Sequence, residues 1–169
     1  YISSRPAAQT VARAQRIEQE ASVLAREFDA FLKHNESDGL LSDAQLESVI
    51  YAGEAHGGTL QGSWTVDETF DFVSAAPADA ENAVQFRRGW FLGDGTGAGK
   101  GRQVAGILLD NWLKGRRRAV WVSKSDKLIE DAQRDWSALG QERLLVTPLS
   151  RFRQGTPIRL EQGILFTTY

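Results

Sequence analysis

The chain has 169 residues, 41% of them hydrophobic and 25% charged, which is ordinary for one globular domain with a sizeable core. Its net charge of −2 excludes a general electrostatic attraction to nucleic acid or to a membrane surface. The absence of cysteine excludes disulfides, thiolate zinc sites and cysteine nucleophiles, and the presence of only two histidines argues against a multi-histidine metal centre.

The sequence also carries signals about location and completeness. It contains no apolar run of the roughly 18–20 residues that a membrane span needs, and it opens with no secretory signal pattern. It starts at Tyr1 and contains no methionine, so we expect it to be part of a longer protein. Together with the lack of cysteine, these features predict an intracellular, cytoplasmic protein.

Residues 1–40 predict a helical extension. From Ala14 to Phe31, apolar side chains recur at alternating spacings of three and four residues. This pattern predicts one long helix from about Ala7 to Lys33 with an apolar stripe on one side. The stripe is expected to pack on its own domain or on another part of the protein. Coiled-coil pairing is less favoured because the run is short.

A second helix and an irregular segment follow the extension. Apolar residues at Leu46, Val49 and Ile50 predict a helix that begins after Ser42, whose hydroxyl can cap it. The helix ends at "HGGTLQGSW". The stretch from about 65 to 88 has no long period, which indicates a surface insertion with a short strand at Phe70–Val73.

From Gly89 onward, predicted strands and helices alternate. The predicted helices cover Lys100–Leu113 and the segment "SKSDKLIEDAQRDWSALG", in which Ser123 and Asp126 could form a capping box. The alternation predicts an α/β fold with a mainly parallel sheet covered by helices on both faces. The predicted strands are "GWFLG", "RRAVWVS", "RLLVTPL" and "GILFTTY".

The turn between the first strand and its helix has the features of a phosphate loop. Glycine occupies every second position from Gly95 to Gly101, so consecutive backbone N–H groups can approach phosphate oxygens. The helix beginning near Lys100 adds its positive dipole end, and Lys100 itself supplies a charge for the β- and γ-phosphates. The strict pattern G-x-x-x-x-G-K-[ST] nevertheless fails at both ends, because Asp94 replaces the first glycine and Gly101 the last hydroxyl residue.

Two other interpretations of this turn are less favoured. A plain connecting loop is disfavoured by the density of glycines before a lysine. A dinucleotide fingerprint is disfavoured because Ala98 stands where G-x-G-x-x-G needs its last glycine.

The run Lys114–Arg118 follows the helix at the amino ends of the strands, so we interpret it as a solvated turn rather than a nucleic-acid site.

At these residues the sequence resembles a known family. "DGTGAGKG" is similar to motif I of superfamily 2 helicases, and Asp94 is similar to the leading acid of the Snf2-like group. The longer block from Gly89 to Gly140, with its "GKGRQ" segment, resembles the strawberry notch family in a bacterial or phage-type form. "LSDAQLESVIYAGEAH" and "GILFTTY" resemble flanking blocks of that family. The resemblance implies a truncated RecA-like P-loop domain over residues 41–169.

The resemblance also implies cofactors and site residues. It implies that ATP and Mg²⁺ bind, with Lys100 as the catalytic residue. Gln45 would read the adenine edge, although the residues alone allow an exposed helix position. The implied nucleic-acid contacts, which could equally be caps or solvated loop residues, are Ser123, Lys124, Ser125, Thr167 and Thr168. The implied cofactor-binding residues are Gln45, Asp94, Gly95, Thr96, Gly97, Ala98, Gly99, Lys100, Gly101 and Arg102.

The expected function is the ATP-binding part of a helicase-like ATPase that acts on nucleic acid, DNA in the full-length protein. The acidic D-E-x-H motif and the second RecA-like lobe of such enzymes lie outside this sequence, so we expect near-background hydrolysis from the chain alone. The missing lobe, and a methylase segment of the same chain, are its expected partners.

Two alternatives and one question stay open. The loop could serve a non-catalytic, nucleotide-binding regulatory module. A small-molecule kinase is a weaker alternative, because it would need a hydroxyl after Lys100. Without that hydroxyl, a water molecule or Thr96 could complete the Mg²⁺ site, and the sequence does not choose between them.

Overall fold

The computed structural model describes residues 30, 39–142 and 145–169. The predicted helix from Ala7 to Lys33 therefore lies outside the described residues, apart from Ala30. The described elements are α1 (Asp43–Gly57), β1 (Ser63–Val66), β2 (Val73–Ala76), α2 (Lys100–Leu113), β3 (Arg118–Ser123), α3 (Ile129–Ser137), β4 (Val146–Pro148) and β5 (Gly163–Thr168), with 3₁₀ turns at Asp126–Leu128 and Leu149–Arg151. In the described part of the chain, no helix is long and apolar enough to cross a membrane.

Helix α1 begins where the sequence predicts. The Ser42 hydroxyl accepts a hydrogen bond from Gln45 N at 3.4 Å, and Gln45 Oε1 accepts one from Ser42 N at 3.0 Å. This reciprocal capping box satisfies two backbone donors that the first helical turn otherwise leaves without partners. It also fixes the position of the Gln45 side chain at the start of the helix.

The core of the domain forms around a three-stranded parallel sheet. Strand β5 lies at its centre, paired with β3 on one side and β4 on the other. Ile164 and Phe166 project from one face of β5 into a cluster with Leu109 of α2 and Trp136 of α3, all at most 2% exposed. Parallel strands need such covering helices because their connections cross over the sheet. The α/β class predicted from the sequence is confirmed.

The opposite face of the sheet differs from the prediction. Along β3, side chains alternate between half-buried and exposed, and Val120 and Val122 are 62% and 54% exposed. Helices α2 and α3 both contribute to the core on the Ile164 side. The prediction that both faces of the sheet are covered is therefore wrong at β3 in the described structure. The apolar residues of a strand do not by themselves show which face of the sheet a helix covers.

The predicted strand "GWFLG" is also not formed. Residues 89–93 join no sheet in the described structure, and the side chains of Trp90 and Phe91 are 41% and 89% exposed. A strand requires a hydrogen-bonded neighbour as well as an apolar sequence. The sequence supplies the apolar run but does not specify its neighbour.

The irregular segment before the loop contains a β-hairpin. Strands β1 and β2 pair antiparallel, with Ser63 opposite Ala76 and Val66 opposite Val73. The predicted strand at Phe70–Val73 is misplaced, because Phe70 lies in the connecting turn with a φ of 62°. Asp67 organises this turn by accepting hydrogen bonds from Phe72 N at 2.9 Å and from the Thr69 hydroxyl.

The basic run after α2 lies at the amino end of β3, as the sequence predicts. Lys114 Nζ lies 2.8 Å from Asp110 Oδ2, and Arg116 Nη1 donates to Asn111 Oδ1 at 3.0 Å. Asn111 Nδ2 in turn lies 3.1 Å from His56 Nδ1. Burial, followed by the nearby Arg87 and Arg116, lowers the pKa of His56. These charges stabilise the junction of α1 and α2, at the end opposite the glycine-rich loop.

Helices α1 and α2 approach each other through glycines. A Cβ placed on Gly106 would lie 2.7 Å from Val49 Cγ2, and a Cβ on Gly53 would lie 2.7 Å from Asp110 Oδ2. Real side chains do not approach so closely, so these positions require glycine if the helices keep their separation. The close contact places the start of α1 beside the start of α2, where the glycine-rich loop ends.

We expect Gly106→Ala to lower the free energy of unfolding by about 1–2 kcal/mol, because overpacking against Val49 outweighs the better helix propensity of alanine. Chemical denaturation measures this change. Gly57→Ala is the matched control, since a Cβ there would meet no atom within 4 Å. Equal stability of the two variants would show that the helix contact can relax at no cost.

Candidate nucleotide-binding site

The glycine-rich loop is an exposed turn that leads directly into α2. Gly97 and Gly99 have φ angles of 89° and 71°, a backbone region that glycine adopts without strain. Gly99 precedes the helix, and its carbonyl accepts hydrogen bonds from Arg102 N at 3.0 Å and from Gln103 N at 3.2 Å. The alternating glycines thus permit a turn in which the amino end of α2 points into the space that the loop surrounds.

A buried glutamine fixes the two ends of the loop. Gln103 is 1% exposed, and its Nε2 donates to Asp94 Oδ2 at 2.8 Å and to Ala98 O at 3.2 Å. Asp94, which occupies the place of the first glycine in the strict pattern, therefore anchors the loop to its own helix. The second side-chain atom of Gln103, Oε1, is buried and has no hydrogen-bond partner among the described residues. It remains available as an acceptor at the base of the loop.

The ammonium group of Lys100 lies inside the loop. Its Nζ donates to Asp94 O at 2.9 Å and to Gly95 O at 2.6 Å. These carbonyl contacts hold the positive charge at the mouth of the loop, where it faces the space that the alternating glycines leave open. Because Nζ carries three donors, it can keep contacts with the loop and still donate to an anion.

Gln45 reaches the loop from α1. Its Nε2 donates to Ala98 O at 3.2 Å, and a Cβ added to Gly99 would overlap this Nε2 atom. Both ends of the carboxamide therefore bond to the protein, Oε1 to Ser42 N and Nε2 to Ala98 O. The structure thus brings Gln45 and the loop together, and its contact with an adenine stays a prediction.

The position after Lys100 faces a carboxylate. A Cβ added to Gly101 would overlap Asp135 Oδ2 and lie 3.4 Å from Asp135 Cγ. Asp135 projects from α3, and its side chain is 14% exposed. Its other oxygen lies 3.4 Å from Arg102 Nε, while Arg102 Nη1 donates to Leu40 O at 3.1 Å. Arg102 therefore links α2 to α3 and to the residues before α1.

A cavity of about 560 Å³ lies between the loop and α3. Its lining includes Thr96, Gly97 and Lys100 from the loop and Asp131 and Asp135 from α3. The lysine charge and the glycine cradle fit a phosphate group. The described residues include no cluster of three metal-binding side chains. The site nonetheless fits Mg²⁺, which is commonly held by one or two carboxylates together with phosphates and water.

The predicted nucleic-acid residues form a second group at the carboxyl ends of the strands. In the β3–β5 register, Ser123 is opposite Thr168 and Val122 is opposite Thr167, and Lys124 follows directly, exposed. The structure therefore brings the two predicted segments together. A cavity of about 610 Å³ adjoins them, lined by Thr167 and Thr168 and by the segment from Pro148 to Ile158.

One local prediction in this group is wrong. The 3₁₀ turn before α3 is capped by Ser125, whose hydroxyl accepts from Lys127 N at 3.4 Å, whereas Ser123 is the last residue of β3. The strand pairing with Thr168 holds Ser123 in the sheet, so the cap moves two residues along the chain. Ser125 therefore has a structural role, whatever else it contacts.

Sequence reasoning missed two residues of the site. Gln103 lies in the quoted "GKGRQ" segment, but no pattern in the sequence shows that its amide bridges the loop. Asp135 lies 34 positions after Gly101, on another helix, and only the packing of α3 against α2 reveals their contact. The available signal for Gln103 was its place on the buried side of the helix, where Asp110 is the other polar residue.

Comparisons with known proteins place the chain in a family of P-loop NTPases. The family model described as P-loop containing NTP hydrolase pore-1 matches residues 9–169. Protein strawberry notch of Drosophila melanogaster is 37% identical over 139 residues, which cover 79% of this chain and 7% of that protein. Human Protein strawberry notch homolog 1 is 36% identical over 137 residues, covering 78% of this chain and 8% of that protein.

A plant relative gives a shorter match. Protein FORGETTER 1 of Arabidopsis thaliana is 39% identical over 87 residues, covering 49% of this chain and 7% of that protein. The chain thus spans less than a tenth of the length of these relatives. No solved structure matches it significantly.

We expect Gln103→Leu to loosen the loop more than it destabilises the fold. Asp94 loses its donor but can bond to water, so the free energy of unfolding should fall by only about 1 kcal/mol. Amide hydrogen exchange over residues 94–99 should accelerate several-fold because the loop then lacks its bridge. Gln141→Leu makes the same chemical change away from the loop and should leave this exchange unaltered. Unchanged exchange in Gln103→Leu would contradict the anchoring role.

Proposed function

Because the chain belongs to the strawberry notch family of P-loop NTPases, we propose that the loop from Asp94 to Gly101 binds the phosphates of ATP. In the intact protein this domain would serve a helicase-like ATPase that acts on nucleic acid, with DNA as the substrate we favour. The observation that supports the proposal most directly is the position of Lys100. Its ammonium group lies within a glycine loop at the amino end of α2.

The chain's own residues would bind and orient the triphosphate. Lys100 Nζ would give up one or both of its present contacts with Asp94 O and Gly95 O and donate to the β- and γ-phosphate oxygens instead. The backbone N–H groups that Gly97 and Gly99 leave accessible would donate to the same phosphates. Bound Mg²⁺ would neutralise phosphate charge and favour transfer of the γ-phosphoryl group to water.

The adenine end of the nucleotide would lie toward α1. Gln45 is held at the loop by Ala98 O and by its capping contact with Ser42. We propose that its amide exchanges the Ala98 contact for the adenine edge when nucleotide binds. The loop carbonyl would keep its second bond, which comes from Gln103 Nε2 at 3.2 Å.

The nucleic-acid strand would run across the carboxyl ends of β3 and β5. Ser123, Lys124, Ser125, Thr167 and Thr168 offer hydroxyls, one cation and backbone amides, which suit phosphate contacts that position a strand without reading its sequence. The parallel pairing of Ser123 with Thr168 supports one continuous contact surface. We also propose that residues 41–169 are the RecA-like unit, with residues 1–40 as its helical extension and an intracellular location for the whole.

Replacing Lys100 with alanine tests the phosphate loop. Loss of a charged hydrogen-bond donor should weaken ATP binding about 10- to 100-fold, as measured by isothermal titration with the intact protein. Lys127→Ala, which removes an exposed cation outside the loop, should leave the affinity near that of the wild type. Equal affinity of Lys100→Ala and wild type would refute the proposal.

Replacing Lys124 with alanine tests the nucleic-acid surface. Binding of single-stranded DNA should weaken uniformly across sequences, and the salt dependence of log K should fall by about one unit, because one phosphate contact is lost. Lys127→Ala again serves as the control, being an exposed lysine of the same segment. If Lys124→Ala had the same salt slope as wild type, this surface would not be the nucleic-acid contact. Parallel titrations with single-stranded RNA of the same length would show whether the protein prefers DNA or RNA.

A further inference from the structure

We propose that Asp135 of α3 replaces the hydroxyl that ordinary phosphate loops carry after the lysine, and that its Oδ2 atom supplies the oxygen that holds Mg²⁺ beside the nucleotide. The inference rests on the proposed ATP binding at the loop from Asp94 to Gly101. It answers the question that Gly101 raises, namely how this loop retains a metal without a serine or threonine at that position.

The first support is steric. A Cβ on Gly101 would overlap Asp135 Oδ2, so the carboxylate oxygen occupies the space in which a serine or threonine side chain would stand. Glycine at position 101 and aspartate at position 135 therefore depend on each other. The missing side chain leaves room for the carboxylate, and the carboxylate in its present position leaves no room for a larger residue. An oxygen ligand remains at the position, although it comes from another helix.

The second support is the charge distribution around Asp135. Arg102 Nε contacts Oδ1 at 3.4 Å, while Oδ2 is directed at Gly101. The other acid and base facing the cavity from α3, Asp131 and Arg134, pair with each other at 2.8 Å. Arg102 therefore orients Asp135 through one oxygen and leaves the other toward the loop. Asp131 is paired with Arg134 on the exposed part of α3.

The third support is electrostatic. Arg102 offsets part of the Asp135 charge through Oδ1, but Oδ2, which faces the loop, would still repel a triphosphate bound in the cavity beside it. A divalent cation between them converts this repulsion into attraction, and Mg²⁺ accepts both carboxylate and phosphate oxygens. The arrangement thus predicts that ATP binding depends more strongly on Mg²⁺ than the loop alone would require.

The test compares ATP affinity in Mg²⁺ and in EDTA, using the intact protein. In wild type, Mg²⁺ should strengthen binding. Asp135→Asn keeps an acceptor for Arg102 but loses the charge. It should reduce this enhancement roughly 10-fold or more, which is the usual loss of metal affinity when a residue at a metal site is replaced. Its affinity in EDTA should stay equal or rise, since the repulsion is gone. Asp131→Asn, the same change one helical turn away, should retain the enhancement.

These measurements separate the inference from the function on which it rests. Failure of the phosphate loop itself would appear as ATP affinity in EDTA that does not respond to Lys100→Ala. Failure of the Asp135 inference alone would appear as an unchanged Mg²⁺ enhancement in Asp135→Asn. A parallel fall of both affinities together with a lower melting temperature would show that Asp135 only holds Arg102 and α3 in place, which also overturns the inference.

A second set of variants does not depend on the folding of Asp135→Asn. Gly101→Ala favours the helix but displaces the carboxylate, so it should lose the Mg²⁺ enhancement. The double variant Gly101→Ser with Asp135→Ala exchanges the two oxygen sources and should recover a large part of the enhancement. Direct Mn²⁺ binding, followed by electron paramagnetic resonance in the presence of ATP, should show the same order. If the double variant behaves like Asp135→Asn, Asp135 does not stand in for the hydroxyl.

Discussion

The close contact between α1 and α2 is the constraint on which the nucleotide site depends. Gly106 and Gly53 allow the two helix backbones to approach until Val49 and Asp110 fill the space that side chains would occupy. Only at that separation does Gln45, fixed by its capping box, reach Ala98 O in the loop. The core beneath α2 then sets the direction of its amino end, because Leu109 is buried with residues of β5. Packing far from the loop thus determines its position.

The loop is held by side chains of the helix that it introduces. Gln103 bridges Asp94 and Ala98, and Lys100 bonds to two carbonyls of the same turn. A glycine-rich segment has many accessible conformations, and ordering each residue costs about 1–2 kcal/mol of conformational entropy. Bonds that restrict the loop before a ligand arrives reduce the part of this cost that binding must offset. Asp94, an apparent departure from the strict pattern, is therefore one of the anchors of the loop.

Local signals in the sequence predict much of this fold. The cap at Ser42, the bounds of α2 and the parallel sheet follow from spacing and residue type, and the structure confirms them. The strand at residues 89–93, the turn at Phe70 and the cap at Ser125 do not follow, because each depends on which partner a segment finds. The same limit applies to the site: the glycines and Lys100 are visible in the sequence, whereas Gln103 and Asp135 become functional candidates only once α2 and α3 are packed.

The pairing of Gly101 with Asp135 changes how the departure from the strict pattern should be understood. A hydroxyl on the helix and a carboxylate on its neighbour cannot occupy the same space, so the residue after the lysine and the residue on α3 constrain each other. Restoring serine at Gly101 alone would therefore damage the site rather than repair it. A carboxylate also differs from a hydroxyl in its charge: Arg102 contacts one oxygen of Asp135, and the other oxygen favours a cation beside the bound nucleotide. A loop built in this way links the arrival of the triphosphate to that of its metal more tightly than a loop with a neutral hydroxyl does.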